Sequence, residues 1–155
     1  MRSIVVAALG CSLAWRLIGG VAFAGGPRFT DRFLANRYSF KLAGTQSGSA
    51  TICPVSADGV LSFNGSGTID RGTILYNDCV RACTGSLITG TYAVNPDGTG
   101  EMTLLFDGGA CNTTIALGLD LALLKAGRQA YLSGQSTGPV SAVMSGELSS
   151  QKNFP

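Results

Sequence analysis

The chain has no histidine, and its single tryptophan, Trp15, lies among the first residues. Without histidine there is no Ser-His-Asp hydrolase triad, no ordinary proton shuttle near neutral pH and no imidazole ligand for zinc. Charge is scarce as well: Asp, Glu, Lys and Arg together make up 13% of the residues. They form no basic run or Lys/Arg stripe, which removes the electrostatic footprint of nucleic-acid binding. Beyond the N-terminal segment no apolar run approaches the ~20 residues that a membrane-crossing helix needs. Long amphipathic helices are missing too, because the apolar residues recur at a period of two rather than about 3.6. Glycine, by contrast, is plentiful at 22 residues, enough to supply many turns and bulges.

Residues 1–24 read as a signal peptide. Arg2 supplies a positive start, Ile4 to Trp15 an apolar core, and Ala22-Phe23-Ala24 a small-x-small cleavage site before Gly25. Arg16 argues against a retained membrane helix, since a central Arg costs roughly 2.5–3.5 kcal/mol on insertion. Ala8-Leu9-Gly10-Cys11 has the look of a lipoprotein box, but the apolar stretch runs on past Cys11, which favours cleavage after Ala24. Loss of Arg2 and Arg16 leaves nine basic residues against nine acidic ones, a net charge of zero. The expected organisation is an N-terminal arm at 25–36, one domain at 37–149 and a polar tail at 150–155. The expected location is periplasmic or secreted.

The stretch Ser86 to Asp107 organises that domain. It reads as two alternating strands around the turn Asn95-Pro96-Asp97-Gly98, with Gly98 in the left-handed conformation of a three-residue hairpin loop. This register sets Tyr92 opposite Met102, Gly90 opposite Leu104, Ile88 opposite Phe106, Thr91 opposite Thr103 and Ala93 opposite Glu101. One face is then apolar on both strands and the other largely polar. Further strands are expected over 37–43, 49–55, 60–63, 67–76, 113–124, 128–133 and 140–148. Turns at Gly44 to Gly48, Ala57-Asp58-Gly59 and Asn64-Gly65 separate the early ones, a bulge sits at Arg71-Gly72, and a loop spans Gly134 to Pro139. Thr113 to Leu124 alternates most strictly, with Ile115, Leu117, Leu119, Leu121 and Leu123 on one face. About eight or nine sequential strands with short connections point to an all-β fold, a single antiparallel up-and-down barrel, because closure removes exposed edges.

Four cysteines remain after the leader: Cys53, Cys79, Cys83 and Cys111. An even count in an exported domain favours two disulfides over a zinc site, which wants paired C-x2-C knuckles. In a meander the loops at 56–59, 77–85 and 108–112 share one end, so all four cysteines gather at one rim. Continued without a bulge, the hairpin register sets Cys83 opposite Cys111. The expected bonds are Cys83–Cys111 and Cys53–Cys79, stapling the barrel at that end.

Candidates for chemistry are few. Asp120, in mid-strand among small residues, is the one carboxylate outside turn chemistry and the only catalytic candidate; on the barrel exterior it is merely a solvent-facing residue. Tyr38, Phe40, Tyr92, Met102 and Phe106 fall on inward faces and are the candidates for lining a small apolar ligand, or simply for filling the core. Asp97-Gly98-Thr99-Gly100 and Asp107-Gly108-Gly109 lack the run of oxygen ligands of a calcium loop, so no metal or cofactor is expected. Asn64-Gly65-Ser66 and Asn112-Thr113-Thr114 match the glycosylation pattern.

Thr89-Gly90-Thr91-Tyr92 resembles one strand of the avidin-type barrels, whose biotin-holding tryptophans have no counterpart here. Tyr38-x-Phe40, Gly59 to Gly67, Gly90-Thr91-Tyr92 and Asp97 to Gly100 together resemble small exported bacterial β-barrel proteins without assigned activity. That resemblance implies a calycin-like barrel and transfers no catalytic residue. The expected function is a non-enzymatic binding or interaction module, with a small apolar ligand as its candidate partner and no nucleic acid. The alternatives are a barrel isomerase or cyclase of the allene-oxide-cyclase or dirigent type, which needs an ionisable residue inside, and a small outer-membrane barrel, which needs an apolar exterior. A homo-oligomer packed through Ala116, Gly118 and Ala122 is left open.

Overall fold

The computed structural model describes residues 28–46, 52–124, 127–137 and 141–151. The expected leader 1–24, Ser47 and Gly48 of the expected first turn and the end of the tail lie outside the described residues, while Gly44 to Gln46 belong to β1 rather than to that turn. Eight antiparallel strands follow one another around a closed barrel. They are β1 (Arg37–Gln46), β2 (Cys53–Phe63), β3 (Ile69–Asn77), β4 (Ala82–Val94), β5 (Thr99–Asp107), β6 (Thr114–Leu124), β7 (Gln129–Thr137) and β8 (Ala142–Ser150). Each pairs with its sequence neighbours, and β8 closes the ring on β1 through pairs such as Phe40↔Leu148.

The period of two decides which side chains enter the barrel. On β6, Ile115, Leu117, Leu119, Leu121 and Leu123 are all buried, whereas Thr114, Gly118, Asp120 and Ala122 are exposed. The β4–β5 hairpin keeps the expected register from Val94 to Thr89, with Tyr92↔Met102 and Thr91↔Thr103. Its loop is the three-residue type: the Gly98 amide donates to the Asn95 carbonyl, the Asn95 amide to Thr99, and Gly98 has φ +88°.

Four local expectations are corrected. Ala57-Asp58-Gly59 makes no turn, because β2 runs straight through it with Cys53, Val55, Ala57, Leu61 and Phe63 buried. The inward residues there are small since the Phe40 ring lies over Gly59: a Cβ on that glycine would meet it at 2.5 Å. The β3 bulge falls at Asp70-Arg71, where Ser62 faces Arg71 and Phe63 faces Ile69, one residue before the expected place. Ile88 does not oppose Phe106. A second irregularity gives that position to Leu87 and turns Ile88 outward. Finally, β7 continues to Thr137 into the expected loop, and Ser150 belongs to β8 rather than to the tail.

The expected arm is present as far as it is described. A 3-10 turn, Asp31–Leu34, lies across one end of the barrel with Leu34 fully buried and Phe29 and Phe33 packed on the core. Chain direction puts the 64–68 and 95–98 connections and residues 127–128 at this arm end. The 78–81 and 108–113 connections and the start of β2 lie at the opposite rim.

Candidate functional site

The two ends differ in how they use polar groups. At the arm end, the Tyr38 hydroxyl donates to the Gly127 carbonyl at 2.7 Å and to that of Phe33 at 3.1 Å. The Tyr92 hydroxyl reaches the carbonyl of Asp31 at 3.2 Å, and the Asp31 carboxylate accepts the Val94 amide at 2.8 Å. Phe63 stands between the two tyrosines in edge-to-face contacts, with centroids 5.2 Å from Tyr38 and 5.1 Å from Tyr92. Burial raises both phenols above their ordinary value, for Tyr38 with a further push from Tyr92. This end is a sealed core.

At the rim, Cys53–Cys79 and Cys83–Cys111 are both formed, with Cα separations of 5.7 and 5.6 Å. The expected pairing is therefore present, although two of its supports are not. Cys53 reaches the rim because β2 starts there, with no turn at 57–59. The Leu87/Thr89 irregularity breaks the register that was extended to Cys111, and a 3-10 turn, Gly109–Cys111, carries that cysteine back to Cys83. Asp78 locks the adjoining loop: one oxygen accepts the amides of Val80 at 2.9 Å and Arg81 at 3.0 Å. The other lies 3.7 Å from the Arg81 guanidinium. This holds Val80, 87% exposed, next to Cys79, while Ile52, 81% exposed, precedes Cys53.

Inside the rim end Tyr76 and Ser136 are both buried, 6% and 3% exposed. The Ser136 oxygen accepts the Ala142 amide at 3.1 Å. Burial raises the Tyr76 phenol above its ordinary value, and Ser136 offsets part of that rise. Ser136 was overlooked because 134–139 read as a loop; the signal was the alternation Ala130, Leu132, Gly134, Ser136. Gly134-Gln135-Ser136-Thr137-Gly138 has G-x-S-x-G spacing, but Gly134 to Thr137 lie along β7 in a chain with no histidine, so it is no nucleophile elbow.

The expected lining residues Tyr38, Phe40, Tyr92, Met102 and Phe106 are all inward and buried. Tyr38 and Tyr92 direct their hydroxyls to the arm end. Asp120 is exposed on the outer face, opposite Glu101 and flanked by Ser133, in a surface hollow of about 500 Å³ shared with Asn95 and Thr99. It is not an interior acid. Among the described residues no charged residue is buried as a whole, although the Asp78 side chain, 3% exposed, is enclosed in its loop, and no group of three or more acidic or cysteine residues is placed to hold a metal. The outward side chains, such as Lys41, Thr73, Thr91, Glu101, Thr103 and Glu147, form no apolar belt for a bilayer. The Asp97 carboxylate is engaged within its turn by the Thr99 hydroxyl and amide at 2.7 and 2.9 Å, which hold its pKa below the ordinary value.

Comparison with protein-family models, with curated proteins and with solved structures finds no match to this chain.

Proposed function

We propose that the protein is an exported, non-enzymatic binding module that takes a small apolar ligand at its disulfide rim. The carrying observation is the inequality of the two ends: the arm packs across one, with Leu34 fully buried, whereas the other is stapled by two disulfides and presents the exposed side chains of Ile52 and Val80. Export is supported by the N-terminal pattern at residues 1–24 and by two disulfides, which persist in oxidising compartments. The enclosed Asp78 carboxylate is engaged by the Val80 and Arg81 amides of its own loop and Asp120 is exposed, so neither supports the interior acid of an isomerase or cyclase. The exposed pair Ile52 and Val80 supports a second reading, in which a protein partner docks on the rim.

Native mass spectrometry of the protein recovered from its own export compartment tests the first reading. The expected result is a chain beginning at Gly25, with both disulfides and an added small-molecule mass that organic solvent strips. A bare mass, together with no saturable uptake of N-phenyl-1-naphthylamine, overturns it.

A further inference from the structure

We propose that Cys53–Cys79 is an exchangeable disulfide, opened by a dithiol that attacks the Cys79 sulfur, and that Cys83–Cys111 is a permanent staple. The two bonds join residues 26 and 28 apart in sequence, so chain entropy does not distinguish them. Their surroundings do. Of the four cysteines Cys79 alone is exposed; Cys53 and Cys83 are 5% and 1% exposed, and Cys111 is half-buried. Thiol exchange depends on access to the sulfur under attack, and Cys79 provides it from the 78–81 connection.

The leaving side is prepared as well. The Cys79 amide donates to the Cys53 sulfur at 3.0 Å, closer than the Pro54 carbonyl at 3.9 Å. A hydrogen bond to a developing thiolate favours its charged form against the cost of burial, and a better leaving group departs faster. At the other bond both directions are unfavourable. Attack on Cys111 makes the enclosed Cys83 the leaving thiolate, and attack on Cys83 puts the charge on Cys111, whose sulfur lies 3.6 Å from the Ala82 carbonyl. In the exchange a reductant thiolate bonds to Cys79, the Cys53–Cys79 bond breaks, and Cys53 leaves with the electron pair and takes a proton from water. The second thiol of the reductant then displaces Cys79, so two electrons pass to the protein and the dithiol becomes a disulfide. Opening this bond unties the start of β2 from the 78–81 connection, and with it Ile52 from Val80, while Cys83–Cys111 and the closed ring stay in place.

The test incubates the folded, disulfide-intact protein with a dithiothreitol series, quenches with acid, labels free thiols with N-ethylmaleimide in denaturant and maps them. A parallel arm with glutathione traps the first intermediate. Cys53 and Cys79 should be freed on the order of tenfold faster than Cys83 and Cys111, the joint effect of exposure and an assisted leaving group. The rate should rise linearly with dithiothreitol, glutathione should be found on Cys79, and the singly opened protein should keep its β-sheet circular dichroism. Equal rates, earlier opening of Cys83–Cys111, glutathione on Cys53, or loss of the β-sheet spectrum with the first bond would each overturn the proposal. So would a rate that levels off with dithiothreitol, because unfolding rather than direct attack then limits access.

Discussion

Single residues carry constraints that the strand pattern does not show. Gly98 has φ +88°, and a Cβ there would meet the Phe29 ring at 3.0 Å, whereas a Cβ at Gly118 meets nothing within 4 Å. Gly98→Ala should therefore cost about 1–2 kcal/mol in urea denaturation, the left-handed penalty for an L-residue. Gly118→Ala should be neutral or stabilising by up to about 1 kcal/mol, through loss of freedom in the unfolded chain. Equal effects of the two would show that turn geometry is not the cause. The three buried tyrosines make a pH prediction. Tyr38, Tyr76 and Tyr92 all have pKa values raised above the ordinary 10.0. Their neutral forms stabilise the fold fully below the unfolded value, and this contribution is lost as pH rises through the raised folded values. The denaturation midpoint should fall above about pH 10, and Tyr76→Phe should flatten the fall. A midpoint unchanged well above that pH contradicts the assignment.

At the scale of elements, the arm is the piece whose removal has the largest structural consequence. Leu34 is fully buried, and the arm supplies carbonyls for Tyr38 and Tyr92 and a carboxylate for the Val94 amide. Leu34→Ala should cost about 2–5 kcal/mol, read from the denaturation midpoint. A loss under about 1 kcal/mol would mean that the arm is laid on the barrel rather than built into it. The hairpin and β6 were legible because turn chemistry and alternation agree there. β2 was misread because Ala57 and Gly59 are small where Phe40 fills the space, so its period of two carried almost no hydrophobic signal. The β3 and β4 bulges interrupt the alternation within their own strands, and sequence alone located the first only to within a residue and the second not at all.

For the whole molecule, the disulfides and the ring closure act together. They close loops with separations of 26 and 28 residues, so each should contribute about 2–4 kcal/mol by restricting the unfolded chain. Paired Cys→Ser variants, Cys53 with Cys79 and Cys83 with Cys111, should each lower the urea midpoint, and non-reducing peptide maps should show no Cys79–Cys83 peptide. Alternation, short turns and an even cysteine count were enough to specify an all-β meander, an apolar interior and a stapled rim, because those follow from local periodicity and chain direction. The tertiary structure alone decided which end is sealed, that Asp120 faces out, and that Tyr38 and Tyr92 hold the arm. It alone buried Tyr76 and Ser136 in one interior: strands on opposite sides of a ring share a core only through closure, and no local pattern encodes that closure.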